Sequence, residues 1–154
     1  ILDYDTYFYP LDSILNWNRL YGRGGFVQHQ SLIPIETARA GLSELLQITS
    51  QSKSGSFLAV LKLFGAQNGV LSFPALGYTL TLDFPWSEKV AALLVQLDNV
   101  VLRHRGRVYL AKDGRLPRPT FEKMQPNLDR FRRQRAESGA NLVFHSLQSQ
   151  RLGL

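Results

Sequence analysis

FLAVLKLFGAQNGVLSFPALGYTLTLDFP, residues 57–85, reads as two strands joined by a loop that Gly65, Gly69 and Pro74 punctuate. Phe57 to Phe64 is apolar on both faces, the pattern of a central strand covered on two sides. Lys62 interrupts it on the face shared by Leu58, Val60 and Phe64. Desolvating an ammonium is costly, so a lysine there is snorkelled, paired or aimed at a ligand. The second strand carries the cleanest periodicity in the chain: Tyr78, Leu80, Leu82 and Phe84 alternate with Thr79, Thr81 and Asp83. One of its faces is core and the other polar. A half-covered antiparallel sheet gives that pattern, and its open face is a place for a ligand.

Outward from this stretch, β-branched and aromatic residues predict a strand over Phe26 to Ile35, FVQHQSLIPI. Gln28 and Gln30 share a face with Phe26 and Leu32. Two amides so spaced either offer donors and acceptors to one spot or simply face solvent at an edge. His29 falls on the opposite face, between Val27 and Ser31, as a packed histidine rather than a catalyst. A helix follows, roughly Glu36 to Ser50, with Ala38, Leu42, Leu45, Leu46 and Thr49 on one stripe. Beyond Pro85, Ser87 caps a long helix whose buried stripe is Val90, Leu93, Leu94, Leu97, Val100 and Val101, closed by Gly106. Arg107 to Lys112 completes the series as a strand. Strand, helix, strand, strand, helix, strand is the ferredoxin-like βαββαβ order, an α+β fold with both helices on one face of an antiparallel sheet.

The ends are less regular. Residues 1 to 9 read as an extended aromatic segment, with Tyr7 and Tyr9 on one side. A helix is expected from Pro10, capped by Asp12, carrying Ile14, Leu15 and Trp17, and stopped by Gly22. After Lys112, DGRLPRP is turn-rich, Thr120 can cap a short helix ending near Pro126, and Asn127 to Arg135 is a basic helical run. Leu128 and Phe131 give that run a narrow apolar face, suited to packing on something outside this chain. Asn141 to Leu154 can close the chain as a short helix.

With 154 residues and 44% apolar content, the chain has the length of one domain with its own core. The absence of cysteine excludes a disulfide framework and thiolate metal chemistry, and His29, His104 and His145 lack metal-ligand spacing, so no metal site is expected. No run of about 18 apolar residues suggests a transmembrane segment, and no signal peptide is visible. A start without methionine is expected of a fragment or a processed chain. Charge is uneven: residues 1–102 hold six Lys/Arg against eight Asp/Glu, whereas residues 103–154 hold twelve against four. Such a tail is a solvated basic face, or it binds nucleic acid or an acidic partner. The paired aromatics of RNA-binding sheets are missing, which weighs against nucleic acid.

Four strings, FYPLDSILNWNRLYGRGGFVQHQ, FLAVLKLFG, LSFPALGYTLTLDFP and GRVYLAKDGR, together resemble the C-terminal part of FAD-linked sugar oxidases of the vanillyl-alcohol-oxidase type. They occur in family order over nearly the whole chain. The resemblance implies a fragment: residues 1–111 as a substrate-binding domain incomplete at its N-terminus, and residues 112–154 as a segment that returns to pack on a FAD-binding half not contained here. It implies FAD as cofactor, held mainly by that other half, and a sugar or polyprenyl-phosphate-sugar substrate. The chain alone is then expected to be inactive. A cytoplasmic protein, or one brought to the membrane surface by a lipid-linked substrate, follows from the same resemblance.

Carried over position by position, the resemblance implies that Gln28, Gln30 and Lys62 line the substrate pocket, that Tyr109 and Lys112 contact the flavin, and that Lys112 and Tyr9 are catalytic. It also implies substrate contacts at Thr79 and Thr81, on the strand facing the ligand, where relatives of this type carry asparagine and cysteine. Threonine keeps a hydrogen-bonding group but has less reach and no thiolate. Trapping at Thr81 by thiol-directed inhibitors is therefore expected to fail.

Overall fold

The computed structural model describes residues 2–9 and 14–154. The proposed cap Asp12 and the helix start at Pro10 lie outside the described residues. The first element is a five-residue helix, α1 (Tyr4–Phe8), with Asp3 accepting a hydrogen bond from the Thr6 amide at 2.9 Å. This corrects the extended reading of residues 1–9: an Asp three residues ahead of an amide offers a helical turn a cap that alternation of aromatics does not reveal. Within the described part of the helix expected before Gly22 there is one 3-10 turn, Trp17–Tyr21, ended by Gly22 at φ 68°.

Then come β1 (Phe26–Pro34), α2 (Ala38–Gln51), β2 (Ala59–Phe64), β3 (Gly77–Pro85), α3 (Glu88–Arg103) and β4 (Arg107–Val108). The sheet order is β2-β3-β1-β4 with every pairing antiparallel, the ferredoxin-like arrangement. Ser87 Oγ caps α3 by accepting from the Val90 amide at 3.2 Å. Gly77 allows β1 and β3 to close, since a Cβ there would stand 2.3 Å from the carbonyl oxygen of Ile33. The β2 strand is an edge, not the central strand its apolar pattern predicts. Leu61 and Leu63 pair with Leu80 and Tyr78 but stay 56% and 59% exposed, because an outermost strand has a neighbour on one side only. The final strand is also shorter than expected: after Val108 the chain turns into a 3-10 helix, Leu110–Lys112.

Ile33, Leu80, Leu82 and Phe84 from the sheet pack against Ala38 and Leu45 of α2 and the full predicted stripe of α3. Leu46 is the exception on α2, half exposed to solvent. His29 is buried on this side, 3.2 Å from Asp98 of α3, and Arg115 closes on the same carboxylate at 2.6 and 2.9 Å. The remaining elements are α4 (Arg118–Met124), α5 (Leu128–Glu137), α6 (Ala140–Val143) and α7 (Leu147–Leu152). Pro117, not Thr120, is the N-cap position of α4. Leu116, Phe121, Met124, Leu128 and Leu152 join the same core, so Leu128 finds its partner inside this chain. By contrast Leu142, Val143, Phe144 and Leu147 are between 70% and 86% exposed.

Candidate functional site

The helices α2 and α3 cover one face of the sheet; the other carries the 3-10 turn at Tyr21, which reaches Asp83, and is buried at Leu32, Thr79 and Asp83 but accessible at Lys62 and, in part, at Thr81. Cross-strand register decides which side chains share that second face, since directly opposed residues point the same way. Lys62 lies opposite Thr79, Thr79 opposite Leu32, and Leu32 opposite Arg107. Beside that row, Val60, Thr81 and Gln30 are in line, and the amide of Tyr109 continues it by donating to the Gln30 carbonyl at 2.8 Å. A third row brings Gln28 opposite Asp83. Gln28, Gln30, Lys62, Thr79 and Thr81 are thus brought to one surface.

Their polar groups are not equally available. Gln28 Nε2 donates to Asp83 Oδ1 at 2.6 Å, and Gln30 Nε2 donates to Thr79 Oγ1 at 3.2 Å. Thr79 is buried, whereas Thr81 is half-buried and Lys62 exposed. Neither Thr81 nor Lys62 has a side-chain hydrogen bond or ion pair among the described residues. The groups on this face with unused capacity are therefore the Lys62 ammonium at its β2 edge and, on the two central strands, the Thr81 hydroxyl and the Gln30 side-chain oxygen.

Asp83 was not singled out by the pattern of residues, yet it organises this surface. Its side chain is 1% exposed, accepts from Gln28 and from Tyr21 Oη at 3.4 Å, and has no cation beside it among the described residues. Burial, together with the Asp83 charge and hydrogen bond, pushes the Tyr21 phenol above its ordinary pKa, so it serves Asp83 as a donor. The signal in the sequence is the acidic residue ending the polar face of β3, which alternation alone treats as solvent-facing.

Tyr109 and Lys112 sit at the β4 edge. The Tyr109 ring stacks on Phe73 with centroids 4.5 Å apart and planes 27° from parallel. Lys112 ends the short 3-10 helix, exposed and without a carboxylate partner among the described residues. Gln148 of α7 donates to the carbonyls of Leu110 and Asp113 at 2.7 and 3.0 Å, and Arg151 pairs with Asp113 at 2.8 Å. That turn is held from both sides. Tyr9, at the C-cap of α1 against Tyr4, is not brought to that face by any contact among the described residues. Among the described residues no helix is long and apolar enough to cross a membrane, and no three His, Asp or Glu side chains converge as a metal site.

No family model matches the chain. Its sequence is 39% identical over 149 residues to decaprenylphosphoryl-beta-D-ribose oxidase of Mycolicibacterium smegmatis, an alignment covering 96% of this chain and 32% of that protein. It is 43% identical over 97 residues to a Streptomyces coelicolor protein described as an uncharacterized protein in the mprA 5′ region, covering 62% of this chain and 26% of that one. The chain spans a third or less of the length of the curated relatives it matches. The resemblance to a sugar oxidase carried by the four strings is borne out along nearly all of the sequence.

Proposed function

We propose that the chain is the substrate-binding part of a FAD-dependent oxidoreductase that oxidises a secondary alcohol of a polyprenylphosphoryl-pentose-like sugar. One observation carries this reading: Lys62, Thr81 and Gln30 share, with unused polar capacity, the sheet face opposite α2 and α3, in a sequence 39% identical to a sugar oxidase. Hydroxyl groups need both donors and acceptors, and an ammonium, a hydroxyl and an amide oxygen supply them together.

The residues present fit the ring end of a flavin and not its diphosphate end. Tyr109 offers an aromatic edge and Lys112 an exposed cation without a carboxylate partner among the described residues. No glycine-rich turn leads from a strand into a helix among the described residues, so the diphosphate would be held by the other half of the protein. When bound, FAD supplies the hydride acceptor at N5. The roles left to this chain are electrostatic and positional. Lys112 offsets negative charge at the ring, Lys62, Thr81 and Gln30 fix the sugar, and Tyr9 is the further candidate for moving the hydroxyl proton.

The exposed apolar group Leu142, Val143, Phe144 and Leu147 is the surface suited to packing on the FAD-binding half. The alternative, a basic module for nucleic acid, draws less support. Arg103, Arg115, Arg118, Arg132 and Arg151 are engaged with carboxylates of the same chain, so these five serve its own packing. In the full-length parent, Gln30→Leu and Lys62→Met are expected to raise the KM for the lipid-linked pentose about tenfold or more, the loss of one charged or strong hydrogen bond, with flavin content unchanged. An unaltered KM in both variants would contradict the assignment.

A further inference from the structure

A polar cavity lies at the β4 edge of the sheet. It is a cleft of about 430 Å3 between the loop of residues 65–76 and the N-terminal end of α5. Arg107, Arg130, Gln125, Asn127 and Asn68 line it, and no Asp or Glu does. Asp129, in the first turn of α5, is 95% exposed and lies 4.0 Å from Arg132 instead.

Three features of the lining are unfinished as protein chemistry. Arg107 is half-buried, its NH1 donates to the neutral carbonyl of Ser72 at 2.7 Å, and no carboxylate pairs with it among the described residues. Gln125 is 7% exposed, and its amide, which makes no side-chain hydrogen bond among the described residues, is not sealed off from the cleft it lines. Asn127, the N-cap position of the ten-residue α5, makes no side-chain cap bond, so the first-turn amides lack that acceptor. A buried amide and a half-buried guanidinium normally find partners. Guanidinium forks, amide N–H groups and a helix N-terminus are all donors, and a tetrahedral oxyanion satisfies them together.

We infer that this cleft, built by Arg107, Arg130, Gln125 and the start of α5, binds the phosphate group of a phosphate ester. Arg107 stands in the same cross-strand row as Leu32, Thr79 and Lys62. Three strand spacings put the ends of that row about 14 Å apart, a distance that two long side chains span from either end of one sugar phosphate. That the ester is a lipid-linked sugar phosphate rests on the oxidase reading above; that the cleft takes phosphate does not.

The test is an NMR titration of this chain with inorganic phosphate, geranyl phosphate and, as the uncharged counterpart, geraniol. Saturable shifts of the Asn68, Asn127 and Arg130 amides with both phosphates, and not with geraniol, are expected. Tighter binding of geranyl phosphate identifies a lipid-linked source, and equal binding a free phosphate. Arg130→Gln weakens phosphate binding about tenfold or more, whereas Arg133→Gln, an exposed change on the same helix outside the cleft, leaves it unaltered. Absence of saturable shifts, or equal weakening by both variants, overturns the inference. Because the readout is binding to this chain and not flavin reduction, its failure leaves the oxidase reading standing, and the reverse also holds.

Discussion

The side-chain amide of Gln28 lies 2.6 Å from Oδ1 of Asp83, a carboxylate 1% exposed that faces no cation among the described residues. A charge held on the sheet face opposite α2 and α3 by neutral donors depends on each of them. Gln28→Leu is expected to cost about 2 to 3 kcal/mol in urea unfolding, because the carboxylate loses a charge-assisted bond without regaining water. Replacing both, Gln28→Leu with Asp83→Leu, should cost less than the two single changes added together. Strict additivity would mean that the pair is not coupled.

Asp98 predicts a dependence on pH. Burial pushes its carboxyl up, but the hydrogen bonds and charges of His29 and Arg115 outweigh burial and hold it below the ordinary 3.8. A carboxyl depressed in the folded state contributes stability that is fully present above its unfolded pKa and is lost as pH falls through the folded value. Arg115→Met should therefore destabilise the protein by about 3 kcal/mol at neutral pH, by leaving a buried carboxylate with His29 alone. The gap between variant and wild type should narrow below pH 3.8. Thermal unfolding across pH reads both effects.

Much of this fold is legible in the sequence, and the failures have physical causes. The alternation of residues 78–84 and the stripe from Val90 to Val101 locate β3 and α3, because each element buries one face and leaves the other polar. The β2 strand misleads since Leu61 and Leu63 look like core yet lie on an edge, and strand order is not written in the composition of one strand. Asp83 and Tyr21 were invisible as a pair because they are 62 residues apart and meet only through tertiary packing. Lys62 and Thr79 fell on one face as a period of two predicts within each strand, but the register joining them comes from the pairing itself.

Thr79 and Thr81 share a face but not an environment, the first 1% exposed beneath the Gln30 amide and the second half-buried. The chain contains no cysteine, so single cysteines report cleanly. Thr81→Cys should react with iodoacetamide at least about tenfold faster than Thr79→Cys, as thiol reactivity follows exposure. Mass spectrometry over time measures both rates. Equal rates would place the two threonines differently.

Gly77 sits where a Cβ would meet the Ile33 carbonyl at 2.3 Å, with the Pro34 Cα also within 3.0 Å. These are backbone atoms of the paired strand and cannot rotate away. Gly77→Ala should cost about 2 kcal/mol or more and weaken protection of the amides joining β1 and β3. Hydrogen exchange localises the effect; protection unchanged at the Ile33 and Ile35 amides would argue against the close approach.

The most direct test of the central claim, that this chain supplies a working part of a flavin-dependent sugar oxidase, is anaerobic stopped-flow reduction of the full-length parent by its lipid-linked sugar, comparing wild type with Lys112→Ala. Removing a cation beside a developing negative charge is expected to slow flavin bleaching by about 100-fold or more with FAD still bound. Bleaching at the wild-type rate would contradict the account.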